Sequence, residues 1–287
     1  MSAVSLHAET HMGMVALTIA DMERSLKFYQ DVLGFALLQR NGADATLGVS
    51  GAPLLQLHEQ PGARPKPQRE TGLYHFAILM PTRAALGRSI RRLAETRYRL
   101  GGASDHLVSE AFYLDDPDGN GIELYRDRPR SEWPMLNGEV RMGSDPIDLQ
   151  GILGDAAQEG RAWSGLDAGT RMGHVHLQVA DIDAAKSFYV DVLGFDVIVS
   201  MSGALFISAG GYHHHLGMNT WHSLHAPRHP DDAAGLRTYT IMLPNKAELA
   251  RVAERLKAAQ IAMEEQAEGV LTHDPFGIGV VLKVSKN

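Results

Sequence analysis

The chain has no cysteine among its 287 residues. That absence excludes disulfides, thiolate nucleophiles and zinc–sulfur sites. Any metal must therefore sit on nitrogen and oxygen ligands, which suits iron, manganese, nickel or a catalytic zinc. Basic residues are also short, with 27 lysines and arginines against 34 acids and a net charge of −7. A phosphate backbone needs a basic face, so this balance argues against nucleic acid as a partner. No apolar run reaches the length of a membrane span, and the opening MSAVSLHAETHMG lacks the apolar core of a signal peptide. No membrane contact and a cytoplasmic address are the resulting expectations. What is present is 44% apolar and 21% charged, the composition of a globular protein long enough for two domains.

The strongest positive signal is self-similarity. MGMVALTIADMERSLKFYQDVLGF, from Met12 to Phe35, returns as MGHVHLQVADIDAAKSFYVDVLGF, from Met172 to Phe195. A second pair begins at Gly72 (GLYHFAILMPTRAALGRSIRRLAE) and at Gly235 (GLRTYTIMLPNKAELARVAERLKA). Each segment starts with strand alternation and then changes to helical spacing. In the third, Val175, Leu177 and Val179 make one strand face and His174, His176 and Gln178 the other. Asp181 reads as an N-cap, Ala184, Ala185, Phe188, Tyr189, Val192 and Leu193 as an apolar stripe, and Gly194 as the stop. Asn245 followed by Glu248 resembles a capping box. Short strand-like runs with turns, such as Asp116-Pro117-Asp118-Gly119, follow each helix. The expected class is α+β, with four βαβββ modules in two tandem domains, 9–128 and 170–285. A connector without sustained period joins them over 129–169. The arginine-rich run RSIRRLAETRYR reads as a solvated helix face.

Paired modules carrying the runs Ala20–Phe35 and Ala180–Phe195 resemble the vicinal oxygen chelate superfamily, which includes glyoxalase I, bleomycin-binding proteins and type I extradiol dioxygenases. The resemblance covers nearly the whole chain outside the connector. It implies cups built from two modules, with ligands facing inward from the first and last strand of each. Aligned this way, module one offers Met14 and Gln56, module two His75 and Glu123, module three His174 and His215, and module four Thr238 and Val281. Pairing within each domain leaves both sets incomplete. Pairing module two with module three gathers His75, Glu123, His174 and His215, and the long connector gives the slack for it. Exchange between subunits of a homo-oligomer would do the same. Two imidazoles and a carboxylate form the triad associated with Fe(II) oxygen chemistry, and it is assigned to His75, Glu123 and His174. His215 is then a fourth ligand or a proton carrier; His213, His214 and His215 are consecutive, and only alternate ones can face inward.

Asp105-His106, Phe112-Tyr113, Leu114 to Pro117, Asp118-Gly119 and Glu123 together resemble the signature of extradiol ring-cleavage dioxygenases, departing from it at Ser104. The resemblance implies proton transfer at His106, a hydrogen bond from Tyr113 and metal ligation by Glu123. The family's further acid–base histidine would align near Ser208, and His213, His215 and His176 are candidates to replace it. Trp221 and Phe206 are candidates for a ring pocket, with core packing as the alternative. The expected function is extradiol cleavage of a catechol- or hydroquinone-type diol by O2 with Fe(II), or Mn(II), Ni(II) or Zn(II) in its place. Two alternatives stand beside it: a glyoxalase-like isomerase or lyase, favoured by four ligands, and a non-catalytic binding protein for aromatic compounds or antibiotics.

Overall fold

The computed structural model describes residues 5–136 and 138–285. Module one contains β1 (His11–Ile19), α1 (Met22–Lys27), β2 (Ala36–Asn41), β3 (Asp44–Val49) and β4 (Ala52–Glu59). Module two contains β5 (Gly72–Leu79), α2 (Arg83–Glu95), β6 (Gly102–Asp105), β7 (Ser109–Asp115) and β8 (Gly121–Asp127). The connector carries β9 (Met135–Leu136), β10 (Glu139–Val140) and α3 (Leu149–Gln158). Module three follows as β11 (Arg171–Gln178), α4 (Ile182–Lys186), β12 (Asp196–Met201), β13 (Ala204–Ser208) and β14 (Leu216–Asn219). Module four is β15 (Gly235–Leu243), α5 (Lys246–Ala258), β16 (Met263–Gln266), β17 (Gly269–His273) and β18 (Gly279–Val284). Among the described residues no helix is long and apolar enough to cross a membrane.

The modules pair crosswise within one chain, so no exchange of subunits is needed. One eight-stranded sheet runs β16-β17-β18-β15-β1-β4-β3-β2, joining modules four and one, and the other runs β12-β13-β14-β11-β5-β8-β7-β6, joining modules three and two. In each, the two first strands meet antiparallel, β1 on β15 and β11 on β5. Helices tie the sequence neighbours together instead. α1 and α4 each run on through a wider helical turn, Phe28–Leu33 and Ser187–Val192. Those turns bury Tyr29 and Tyr189 completely. Tyr29 donates to Asp116 of module two at 2.9 Å, and Tyr189 to Asp274 of module four at 2.9 Å. Gly34 and Gly194 stop the two turns at φ +92° and +93°, a backbone region that strains any other residue.

The expected caps form. Asp181 accepts from the Ala184 amide and Asn245 from the Glu248 amide. The Glu248 carboxylate does not turn back on Asn245 but accepts from the His7 amide at 3.2 Å, so only half of a capping box is made. The arginine-rich run departs from expectation in part: Arg88 is buried and Arg91 and Arg92 are half-buried, while Arg97 and Arg99 are exposed. α3 lies against it, capped by Asp148. A Cβ at Gly87 would stand 2.4 Å from the Ile152 carbonyl, so glycine is what permits the close approach. Arg88, 3% exposed, pairs with Glu159 and Asp167, and Arg92 lies over the Trp163 ring at 4.4 Å. The acids and the aromatic ring that draw the arginines inward lie over sixty residues downstream, beyond the reach of helical periodicity.

Candidate metal centre

β11 and β5 are neighbours in register, with His176 opposite His75 and His174 opposite Ala77. β8 runs parallel beside β5 with Glu123 opposite Ala77. Alternation turns His75, Glu123 and His174 toward the same point. His75 Nε2 lies 2.9 Å from Glu123 Oε2, and His174 Nε2 lies 3.0 Å from that same oxygen. All three ligand atoms fall within 4.8 Å of one another, and all three residues are buried. Donor bonds of about 2.1 Å at right angles put neighbouring donors about 3.0 Å apart, which matches this spacing. Among the described residues His75 Nε2 has no hydrogen-bond partner despite its closeness to Glu123. A buried nitrogen left so costs free energy unless something else takes its lone pair, and a divalent cation does so.

The electrostatics fit the same reading. Burial pushes the Glu123 carboxyl up, but the imidazoles of His174 and His75 outweigh it and hold the group well below its usual range. Burial holds His174 below its ordinary value. An ionised Glu123 carboxylate and a His174 imidazole that resists protonation are what metal ligation requires of these two groups.

The residues of the signature meet at this point. His106 and Tyr113 are joined at 2.6 Å, Nε2 to hydroxyl, and His106 Nδ1 lies 2.7 Å from the Gly143 carbonyl. A carbonyl only accepts, so Nδ1 carries the proton, and Nε2 accepts from the Tyr113 hydroxyl. Burial first, and the Glu123 charge second, push the Tyr113 hydroxyl up, so it stays protonated and able to donate. The Tyr113 ring stands 5.5 Å from the His75 ring.

The sequence did not reveal that the connector forms one wall. Asp145 and Asp105 exchange backbone hydrogen bonds at 2.8 and 2.9 Å, Ser144 Oγ meets Ser104 Oγ at 2.8 Å, and Gly143 holds His106. Ser104, the departure from the signature, thus anchors this strap. Met142, Gly143 and Ser144 line a cavity of about 710 Å³, which also takes in Tyr74, His75, His106, Tyr113, Glu123, His176, Phe206, His214 and Trp221.

His215 stands elsewhere. It packs on Tyr212 at 4.9 Å, its Nδ1 accepts from the Ala209 amide, and burial pushes it down to about 3. His214 is the member of the triplet that lines the cavity, with its ring 4.1 Å from that of His174. The ladders explain the difference. Gln56 lies opposite Ala16, Glu123 opposite Ala77 and Val281 opposite Thr240. In module three the matching place, opposite His176, is held by Gly217, two residues beyond His215. Its bare Cα makes room for His176, because a Cβ there would come within 2.9 Å of that ring. His176 Nε2 accepts from the Asn219 amide at 2.9 Å. Of the suggested replacements for the missing acid–base histidine, His176 reaches the cavity, whereas His213 pairs with Asp127 at 2.8 Å.

The comparisons agree with this architecture. The family model for the Glyoxalase/Bleomycin resistance protein/Dioxygenase superfamily matches residues 11–124 and 171–280. A catechol-2,3-dioxygenase of Bacillus subtilis (strain 168) is 47% identical over 276 residues, covering 94% of this chain and 96% of the relative. Glyoxalase I from Zea mays superposes with a TM-score of 0.59 at 16% identity, covering 96% of this chain and 92% of that one. The CppA protein of Streptococcus pneumoniae TIGR4 gives 0.56 at 12% identity, covering 96% and 98%. At such identities the two structures speak for the fold alone. With both halves matched by the family model and nearly the full length aligned to a relative at 47% identity, the chain belongs to the Glyoxalase/Bleomycin resistance protein/Dioxygenase superfamily.

Proposed function

We propose that this chain is an extradiol dioxygenase that cleaves a catechol- or hydroquinone-type ring with O2, using one Fe(II) held by His75, Glu123 and His174. The observation that carries the reading is the approach of two imidazole nitrogens to one carboxylate oxygen at 2.9 and 3.0 Å. Two imidazoles and one carboxylate leave coordination positions open, the arrangement suited to Fe(II) oxygen chemistry. The relative that is 47% identical, a catechol-2,3-dioxygenase, supports the same reaction class. Gly217 at the place matching Glu123 leaves the set at three and speaks against the four-ligand isomerase reading.

Held by His75, Glu123 and His174, the ion would supply positive charge that acidifies the diol hydroxyls. The chain's own groups do the rest. His106, with Nδ1–H fixed on the Gly143 carbonyl, has only Nε2 free to take a proton, and it takes one from a diol hydroxyl. For that, Tyr113 first turns its hydroxyl from Nε2 to a substrate oxygen, which frees the Nε2 lone pair for the proton. His176 and His214 line the cavity beside Phe206. The ring-opened semialdehyde retains both oxygen atoms. The test is anaerobic reconstitution with Fe(II), then addition of catechol or methylhydroquinone in air. Oxygen uptake matched by an absorbing ring-opened product is the expected result. No uptake with any diol, together with turnover of a methylglyoxal–thiol adduct, would transfer the chain to the isomerases.

A further inference from the structure

We infer that the diol is uncharged and carries an apolar substituent about the size of a second ring; this rests on the ring-cleavage reading and names its substrate class. The cavity of about 710 Å³ lies in the range of roughly 300–1,000 Å³ that takes drug-sized ligands, several times the need of a single ring. Among the described residues that line it there is no lysine or arginine, while exposed Asp115 is part of its wall. The arginines of the neighbouring strand are committed elsewhere. Arg126 binds buried Glu110 at 2.5 Å, and Arg128 binds Asp105 at 2.5 Å. A carboxylate on the diol would enter beside Asp115 without a counter-ion, and burying a charge unpaired is heavily penalised.

Most of the remaining wall is apolar, interrupted by Ser104, Ser109 and Ser144. Trp221 and Met201, 50% and 52% exposed, flank the cavity with Phe206 and Met142. Large apolar side chains left half open to water around a cavity gain free energy when a ligand covers them. Gly101 and Gly102, also in the lining, have only Tyr113 within 4 Å of an added Cβ, so they leave space for a substituent rather than filling it.

The test uses Fe(II)-loaded protein and diols matched in shape. With 3,4-dihydroxybenzoate and its methyl ester, kcat/KM for the ester is expected to exceed that for the acid by about a hundredfold or more. A phenyl-substituted catechol is expected to exceed catechol by about tenfold. Met201→Arg, on an exposed edge, adds the missing cation and should narrow the acid–ester gap by about tenfold. Acid and ester within about threefold of each other, or catechol preferred over every substituted diol, would overturn the inference. Anaerobic binding of the same pair reads the charge preference separately from turnover. Tight ester and weak acid with no oxygen uptake would keep the inference and sink the ring-cleavage reading, whereas equal binding, or none, overturns the inference itself.

Discussion

The two sheets of this chain have the same strand order, but among the described residues only one gathers a buried group that could hold a metal. Around β5, β8 and β11 stand His75, Glu123 and His174; at the matching places of the other sheet stand Met14, Gln56, Thr238 and Val281. Other features were kept in both. The buried tyrosine that binds the aspartate of a turn occurs twice, as Tyr29 with Asp116 and as Tyr189 with Asp274. What both copies share belongs to folding, and what only one has belongs to chemistry. The strand frame supplies inward places; side chains decide whether a place becomes a ligand.

The largest expected effect comes from making the active cup resemble its partner. Glu123→Gln with His75→Thr removes two of three ligands. Losing a mere supporting partner of a ligand costs 10–100-fold in affinity or activity, so metal content and oxygen uptake should both fall by more than about a hundredfold. His106→Ala leaves the ligands in place, and kcat is expected to drop by about 10²–10⁴-fold with metal content unchanged. The reverse conversion sharpens the comparison further. Met14→His, Gln56→Glu and Thr238→His together should raise bound metal from one to two equivalents per chain, read by elemental analysis after dialysis.

Smaller effects test the shared frame. Tyr29→Phe and Tyr189→Phe should each cost about 1–3 kcal/mol in denaturant unfolding, because each leaves a buried aspartate short of a donor. The Tyr189 loss should be the larger, because the buried Tyr239 hydroxyl also loses its acceptor there. His215 provides a pH test. Its ordinary value is 6.5, and burial holds it at about 3 in the fold. The unfolded chain therefore binds the extra proton between those values, and stability falls as pH drops through that window. His215→Asn should remove up to one proton from the slope.

Much of this was legible in the sequence because repetition fixed the module boundaries and alternation fixed which residues share a face. His75, Glu123 and His174 lie in regular strands, where period two is a reliable guide. His215 lies just before β14 begins at Leu216, in a loop whose path no period encodes, and three consecutive histidines obscured a ladder place held by glycine. The wall formed by Met142, Gly143 and Ser144 was hidden for a similar reason. A strap that pairs with Asp105 across forty residues leaves no local pattern. The burial of Arg88 follows from Glu159 and Asp167, partners that a helical wheel cannot contain.

The most direct test is an anomalous-scattering map of crystals grown anaerobically with Fe(II). The account predicts one peak per chain, about 2.1 Å from His75 Nε2, Glu123 Oε2 and His174 Nε2. A peak that leaves out any of these three, or one seated between β1 and β15, would contradict it.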